Sequence, residues 1–295
     1  MRPCTSPEVR ADAVGPASGV LIPVARGGDP VTIREHWGRA GLGPAILEAL
    51  AAAGKNLEAL TVEDVAPADH FHGGGMPATE RLARLVTPAA GTRVLDVGGG
   101  LGGPARMLAA RYGCRVTVLD LTESYVRAGE LLTERLRLSD RVDHRVGDAL
   151  ALPFPAGAFD MVWTQNSGMN IPDKERLYAG FHRVLRPGGM LAFQEPMAGP
   201  GGPPILPLMW ARDASQSFLR SPDEMRALLE SVGFRVRVWD DVTDEFSVAT
   251  PAAALPPYAI AKLVMGDELQ AIMDAGQRSR DERRLLSIHA VCDRP

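Results

Sequence analysis

The residues with the clearest chemical potential lie between an apolar segment and the start of a helix, in Val94-Leu-Asp-Val-Gly-Gly-Gly-Leu-Gly-Gly103. A run of small residues lets a ligand approach the backbone, and a helix start offers N–H groups without intrahelical partners. Gly98, Gly100 and Gly103 satisfy G-x-G-x-x-G, the pattern that cradles a dinucleotide pyrophosphate, although that pattern alone is unspecific. Asp96, two positions ahead of the first glycine, suits a different ligand, since a carboxylate there attracts an ammonium group and repels a pyrophosphate. Asp120 closes the next apolar segment, where an acid can grip two ribose hydroxyls; it equally suits capping the helix that follows. Asp148, in Gly147-Asp148-Ala149 after the third apolar segment, has two open roles: reading an adenine amino group, or serving a turn.

The elements that must position these groups alternate. Strands are expected at Arg93–Val97, Arg115–Asp120, Val142–Val146, Phe159–Thr164, Met190–Gln194, Phe234–Trp239 and Leu285–Val291. Helices are expected at Pro104–Tyr112, Ser124–Leu136, Lys174–Leu185 and Pro222–Val232, the first bounded by Pro104 near its start and Gly113 past its end. This repetition implies an α/β fold, a doubly wound Rossmann-like sheet with ligands at the carboxyl edge of its strands. Residues 89–295 hold the sheet, with two insertions suited to a lid at 198–220 and 244–283. The second carries helical patches at Ala259–Val264 and Glu268–Asp274. Residues 31–88 read as an N-terminal helical cap, in which Gly41-Leu-Gly-Pro44 divides Val31–Asn56 into two helices. Within the cap, Leu60–Val65 reads as a short capped turn and Pro77–Val86 as a helix. Residues 1–30, rich in Pro, Gly, Ala and Ser, read as a disordered tail.

D-x-G-x-G-x-G at Asp96–Gly102, Asp120, Gly147-Asp148, Phe159-Asp160 and Leu185-Arg-Pro-Gly-Gly189 resemble the successive motifs of class I methyltransferases that use S-adenosylmethionine (SAM). The resemblance implies SAM as cofactor, strand order 3-2-1-4-5-7-6 with the seventh strand antiparallel, and methyl transfer to a small molecule at N, C or O. It implies that Asp96 serves the amino end of SAM, Asp120 its ribose and Asp148 its adenine. Gly74, Gly98, Gly100, Gly102, Leu121, Ala149 and Gln165 complete the implied cofactor contacts. A finer likeness is to the subfamily of glycine, sarcosine and dimethylglycine N-methyltransferases, ubiquinone and tocopherol C-methyltransferases and natural-product enzymes. It rests on Trp163-Thr-Gln-Asn-Ser-Gly-Met-Asn170 and on Asp69-His-Phe-His72 followed by three glycines. Relatives often carry His where Asn166 stands and Cys where Gly99 stands; an amide is no base near neutral pH, which disfavours base catalysis from position 166. The likeness sets His72 facing the methyl donor. As residues alone, His70 and His72 equally suit capping the next helix or an exposed position.

A sulfonium methyl is already electrophilic, so the protein must align a nucleophile with it and exclude water. Asn166, Asn170 and Trp210 are the expected acceptor contacts, and Trp210 either offers a π face to a cation or packs the lid. Glu195, expected at the end of the fifth strand, reads as a base, as a stabiliser of a carbocation, or as a solvated loop carboxylate. Arg212 and Asp213 read as a pair. A net charge of −4 over 295 residues does not suggest a nucleic-acid binder. Cys4, Cys114 and Cys292 are odd in number and form no CxxC pair, so idle thiols in a reducing cytosol are expected rather than zinc or disulfides. No other metal site is expected. No apolar run reaches membrane-span length and no signal peptide is evident, so a cytoplasmic enzyme is expected. Its partner is a small molecule, with a homo-oligomer through exchanged N-terminal helices as a further expectation. Two other readings stand beside methyl transfer: a SAM-binding cyclase-type enzyme and an NAD(P)-binding oxidoreductase.

Overall fold

The computed structural model describes residues 36–246 and 251–295. The expected tail over 1–30 and the start of the expected first helix lie outside the described residues. The frame is a seven-stranded sheet of β1 (Arg93–Val97), β2 (Arg115–Asp120), β3 (Val142–Val146), β4 (Phe159–Gln165), β5 (Leu185–Ala198), β6 (Arg235–Asp241) and β7 (Leu285–Asp293). Its order is β3-β2-β1-β4-β5-β7-β6, with β7 antiparallel to both β5 and β6, as the resemblance implied. The helices are α1 (Leu42–Ala52), α2 (Val62–Asp69), α3 (Gly75–Val86), α4 (Gly103–Tyr112), α5 (Glu123–Arg135), α6 (Lys174–Val184), α7 (Pro222–Ser231), α8 (Ile260–Met265) and α9 (Leu269–Asp281).

Two-residue periodicity divides the apolar side chains between the faces of the sheet. Val94, Val116, Val118, Met161 and Trp163 pack with α3 and α4 on one side. Leu95, Val97, Leu119, Val162 and Phe193 pack with α6 and α7 on the other. The strand order reverses between β1 and β4, which opens a crevice at their carboxyl ends. Cap and lid close over that crevice together, because α1, α2, α5, α8 and α9 share one apolar cluster that includes Ile46, Val65, Leu132, Ile260 and Ile272.

Three elements differ from expectation. Leu60–Val65 is not a short turn: it opens α2, where Thr61 and Asp64 form a reciprocal capping box and the helix continues through Pro67. Burial of Val65 and Ala68 supports that extension. α3 begins at Gly75, two residues before Pro77. The fifth strand spans fourteen residues instead of five: Arg186–Gly189 is a bulge, with Leu185 opposite Phe159 and Met190 opposite Met161, and past Gln194 the pairing with β7 runs on to Ala198. Gly188 in the bulge has φ 72°, and a Cβ on Gly189 would stand 2.9 Å from the carbonyl oxygens of Arg186 and Asp160. Glu195 is therefore inside the strand, opposite Ile288, and not at its end.

A buried ion pair locks the cap onto the sheet layer. Arg106 Nη2 of α4 donates to Asp69 Oδ2 at the end of α2 over 2.8 Å, with side chains 0% and 2% exposed. Arg106 Nη1 also donates to the Gly129 carbonyl and to Thr133 Oγ1 of α5. Removing one partner of such a pair strands the other charge away from water, which costs about 3–5 kcal/mol. R106M is expected to lose stability of that order in urea denaturation; a loss below about 1 kcal/mol would show that the pair is replaceable by apolar packing.

Candidate active site

The crevice is a cavity of about 690 Å³. Its floor is the turn after β1, where Gly98, Gly100 and Gly102 have φ of 65°, 55° and 80°, values that side-chain-bearing residues rarely adopt. The turn is pinned twice: Gly98 N donates to the Leu119 carbonyl (2.8 Å) and Gly100 N to Asp120 Oδ2 (2.9 Å). Gly98 and Gly100 line the cavity, but Gly102 does not. It opens α4 and packs on His144, whose Cε1 is 2.6 Å from where its Cβ would be. Gly74 is likewise outside the lining, with Phe246 2.6 Å from its Cβ position; Gly73 and Gly75 face the cavity instead. A Cβ at Gly99 would meet Asp96 Oδ2 at 2.6 Å, so the Cys common in relatives would displace the carboxylate.

Asp96 lines the cavity, is 1% exposed, and its Oδ2 has no hydrogen-bond partner. Burial, and then the neighbouring Asp120, push its pKa up to about 8. A dry carboxylate with an open oxygen suits a cationic ligand group, since opposite charges attract strongly where water is excluded. Asp120 fills both roles read for it: besides Gly100, it accepts from Thr122 N at the start of α5 (2.8 Å), and it lines the cavity. Asp148 lines the cavity and also caps the short turn Ala149–Ala151 by accepting from Leu150 N (2.8 Å). Leu121 and Ala149 lie beside them in the lining.

The Trp163-Thr-Gln165 segment sends Trp163 and Gln165 to the same face of β4, where strand register sets Gln165 opposite Gln194. The Trp163 indole only donates, so the Gln165 oxygen it meets at 3.0 Å is fixed as Oε1. Thr79 donates to the same Oε1 (3.0 Å), which leaves its oxygen to accept from His72 Nε2 (3.0 Å). Gln165 Nε2 donates to Gln194 Oε1 (2.8 Å), and Gln194 Nε2 to the Gly73 carbonyl (2.8 Å). His72 Nε2 thus faces the Thr79 hydroxyl, and its Nδ1 lies 3.2 Å from the Gly73 carbonyl. Burial, and then His70, push its pKa down to about 3, so it makes a poor base near neutral pH. Sequence reasoning missed Thr79 and Gln194, although the Trp-x-Gln spacing signals a shared face.

Glu195 is neither a solvated carboxylate nor a base facing the acceptor. It is 4% exposed and outside the lining of the large cavity. Its Oε1 accepts from Ser167 N (3.2 Å) and Gly168 N (2.8 Å), which supports the loop after β4 from below. Lys174 grips the same loop through the Gly168 and Ile171 carbonyls, and burial pushes its pKa down to about 8. Asn166 lines the cavity with φ 52° and a buried, unpartnered Oδ1. Asn170 lines the cavity too and ties the lid down, donating to the Trp210 and Gln216 carbonyls at 2.9 Å each. Trp210 packs with Met169, Leu208 and Leu285 while lining the cavity. Arg212 and Asp213 do not pair: Arg212 meets Glu268 (3.1 Å), and Asp213 caps the turn Ala214–Gln216. Asp160 stands apart from the cavity, at the amino edge of the sheet with Arg93 and Arg186.

His70 is neither exposed nor a cap of the next helix: it is the C-cap residue of α2, its N–H donating to the Ala66 carbonyl. Its Nδ1 lies 2.7 Å from Asp69 Oδ1. Burial favours a protonated Asp69, but His70 and Arg106 outweigh it and hold the pKa below the usual value. The ionised acid accepts Nδ1–H and leaves a lone pair on Nε2, which is buried, unpartnered and on a residue that lines the cavity. Cys114 and Cys292 are buried free thiols. Among the described residues no group of three or more His, Cys, Asp or Glu is arranged to hold a metal ion, and no helix is long and apolar enough to cross a membrane.

A family model described as a methyltransferase domain matches residues 95–193. Methyltransferase GfsG of Streptomyces halstedii is 30% identical over 211 residues, covering 70% of this chain and 74% of that protein. A glycine/sarcosine/dimethylglycine N-methyltransferase of Actinopolyspora halophila is 39% identical over 119 residues, 40% of this chain, and the chain spans 21% of that relative's length. The solved structure of geranyl diphosphate C-methyltransferase from Streptomyces coelicolor A3(2), in complex with Mg2+, geranyl-S-thiolodiphosphate and S-adenosyl-L-homocysteine, is similar with a TM-score of 0.64. That likeness covers 90% of this chain and 98% of that chain at 21% identity, and shows a shared fold.

The raised pKa of Asp96 has a sign. Its folded value, about 8, lies above the ordinary 3.8, so the folded state holds a proton there that the unfolded chain has released. That contribution to stability is complete below about pH 4 and lost as pH rises through about 8. D96N removes this titration. Ligand-free wild type is expected to lose stability relative to D96N across that window, by on the order of a few kcal/mol, in urea melts at stepped pH. Parallel pH profiles for the two proteins would refute the assignment.

Proposed function

Because this chain belongs to the SAM-dependent methyltransferase family whose domain it carries, we propose that it transfers a methyl group from SAM to a small molecule held beneath the lid. The observation that carries the reading is the open, buried oxygen of Asp96 beside the glycine turn. It accommodates the ammonium of SAM, whereas a dinucleotide would bring its pyrophosphate against a carboxylate. SAM, when bound, supplies the electrophilic methyl group. Asp120 offers lone pairs to its ribose, and Asp148 offers them near its adenine. The cavity volume, about 690 Å³, is within the range of small-molecule sites, roughly 300–1,000 Å³. Leu255, Ile260 and Trp210 give its lining apolar surface. Five acids on the described lining, Glu63, Asp69, Asp96, Asp120 and Asp148, disfavour a nucleic acid as acceptor. We place the reaction in the cytoplasm.

Where the acceptor presents an O–H, the Asp69–His70 pair is the group to receive its proton. Asp69 orients the imidazole and steadies the charge that forms on it, as in other acid–histidine pairs. With an acceptor identified by screening, H70Q is expected to bind SAM like wild type, to turn over on the order of a hundredfold more slowly at neutral pH, and to recover as pH rises. Unchanged turnover by H70Q would end this role.

Calorimetric titration tests the cofactor directly. SAM and S-adenosylhomocysteine are expected to bind one per chain, NADH not at all, and D120A to weaken the former on the order of tenfold or more. NADH binding without SAM binding would overturn the proposal.

A further inference from the structure

The walls of the cavity are divided by charge. Asp96, Asp120 and Asp148 line the side formed by β1, β2 and β3. On the described lining, the one lysine or arginine is Arg280 of α9, on the side formed by the lid and the start of β7. Two strands, β4 and β5, separate β1 from β7, so these walls are roughly 14 Å apart at about 4.8 Å per strand. Thr243, Leu285, Leu286 and Ser287 line the cavity on the same side as Arg280.

The arginine is neither solvated freely nor neutralised. Its Nε is buried without a partner. Its Nη2 donates to Oε1 of Gln277 (3.0 Å), and Nε2 of that amide donates on to Asp281 Oδ1 (2.7 Å). A neutral side chain thus stands between the guanidinium and the neighbouring acid. Burial lowers the pKa of Arg280, yet an arginine keeps its charge. A half-buried cation on the lining of a largely apolar cavity is set for an anion, because a guanidinium presents paired donors in a plane.

We propose that the methyl acceptor is an apolar molecule bearing a carboxylate, and that Arg280 receives this group while the reacting atom points toward the cofactor side. The inference rests on the methyl-transfer reading and adds the class of acceptor to it. One guanidinium balances one carboxylate; a diphosphate would bring more charge than the single described lysine or arginine of the lining can offset. The apolar body lies among Trp210, Met209, Phe246, Ile260 and Leu286. The carboxylate end is held at the β7 wall, so the acceptor is read from the end remote from the methyl group.

The test uses protein saturated with S-adenosylhomocysteine, titrated by calorimetry with octanoate and with octanamide, which match in size and differ in charge. Octanoate is expected to bind on the order of tenfold more tightly. R280M is expected to bring the two to parity with S-adenosylhomocysteine affinity unchanged, and R280K to keep most of the preference. Equal affinity of wild type for the two probes, binding of neither, or a preference that survives in R280M would overturn the proposal. Failure of S-adenosylhomocysteine to bind would instead overturn the methyl-transfer reading, and this inference with it.

Discussion

A carboxylate shut away from water without a partner is among the costlier arrangements a fold can hold, and Asp96 is held in one. Its neighbours follow from that constraint. Gly99 leaves open the space beside the carboxylate, which a Cβ would enter at 2.6 Å from Oδ2. The turn beyond it bends through left-handed glycines, so that backbone rather than side chains faces the ligand. Asp120 braces the turn and adds a second acid, which raises the cost of charging the first. In the ligand-free site that cost keeps Asp96 protonated up to about pH 8, so binding a cationic ligand group there is coupled to release of its proton.

The rest of the structure keeps that site dry and bounded. The Arg106–Asp69 pair joins cap to sheet, and Glu195 and Lys174 hold the loop after β4 from beneath. Asn170 carries the constraint upward to the first lid segment through two backbone carbonyls. Each device buries a charge or amide and satisfies it with main-chain or side-chain partners, which fixes geometry more firmly than apolar contact alone. The acids that look catalytic in sequence are mostly spent on this scaffolding.

The sheet was legible because its strands alternate with helices and its motifs fall at strand ends, where periodicity and glycine chemistry are local signals. Gly98, Gly100, Asp96, Asp120 and Asp148 were legible for the same reason. What escaped depends on contacts distant in sequence. Gly102 and Gly74 look like their neighbours, but face His144 and Phe246 instead of the cavity. Glu195 reads as a strand-end acid because local pattern stops at Gln194; pairing with β7, some ninety residues away, carries the strand on to Ala198 and sinks the carboxylate into the interior. His70 shows no periodic signal, and its pairing with Asp69 depends on Arg106, 37 positions from that acid. Arg280 falls in a lid helix whose end periodicity alone set too early.

The chain of amides and hydroxyls behind His72 begins at an indole that can only donate. A closed polar network without such a terminus has two ground states of similar energy, related by reversing every donor and acceptor along it. The Trp163 N–H removes that degeneracy from one end, and the Gly73 carbonyl, which can only accept, removes it from the other through Gln194 and Gln165. Their influence passes through Gln165 and Thr79 to the imidazole. Replacing the indole with a ring lacking N–H would leave that sense fixed by the carbonyl alone. In this fold the fidelity of recognition at the crevice is set in part by an atom that no ligand touches.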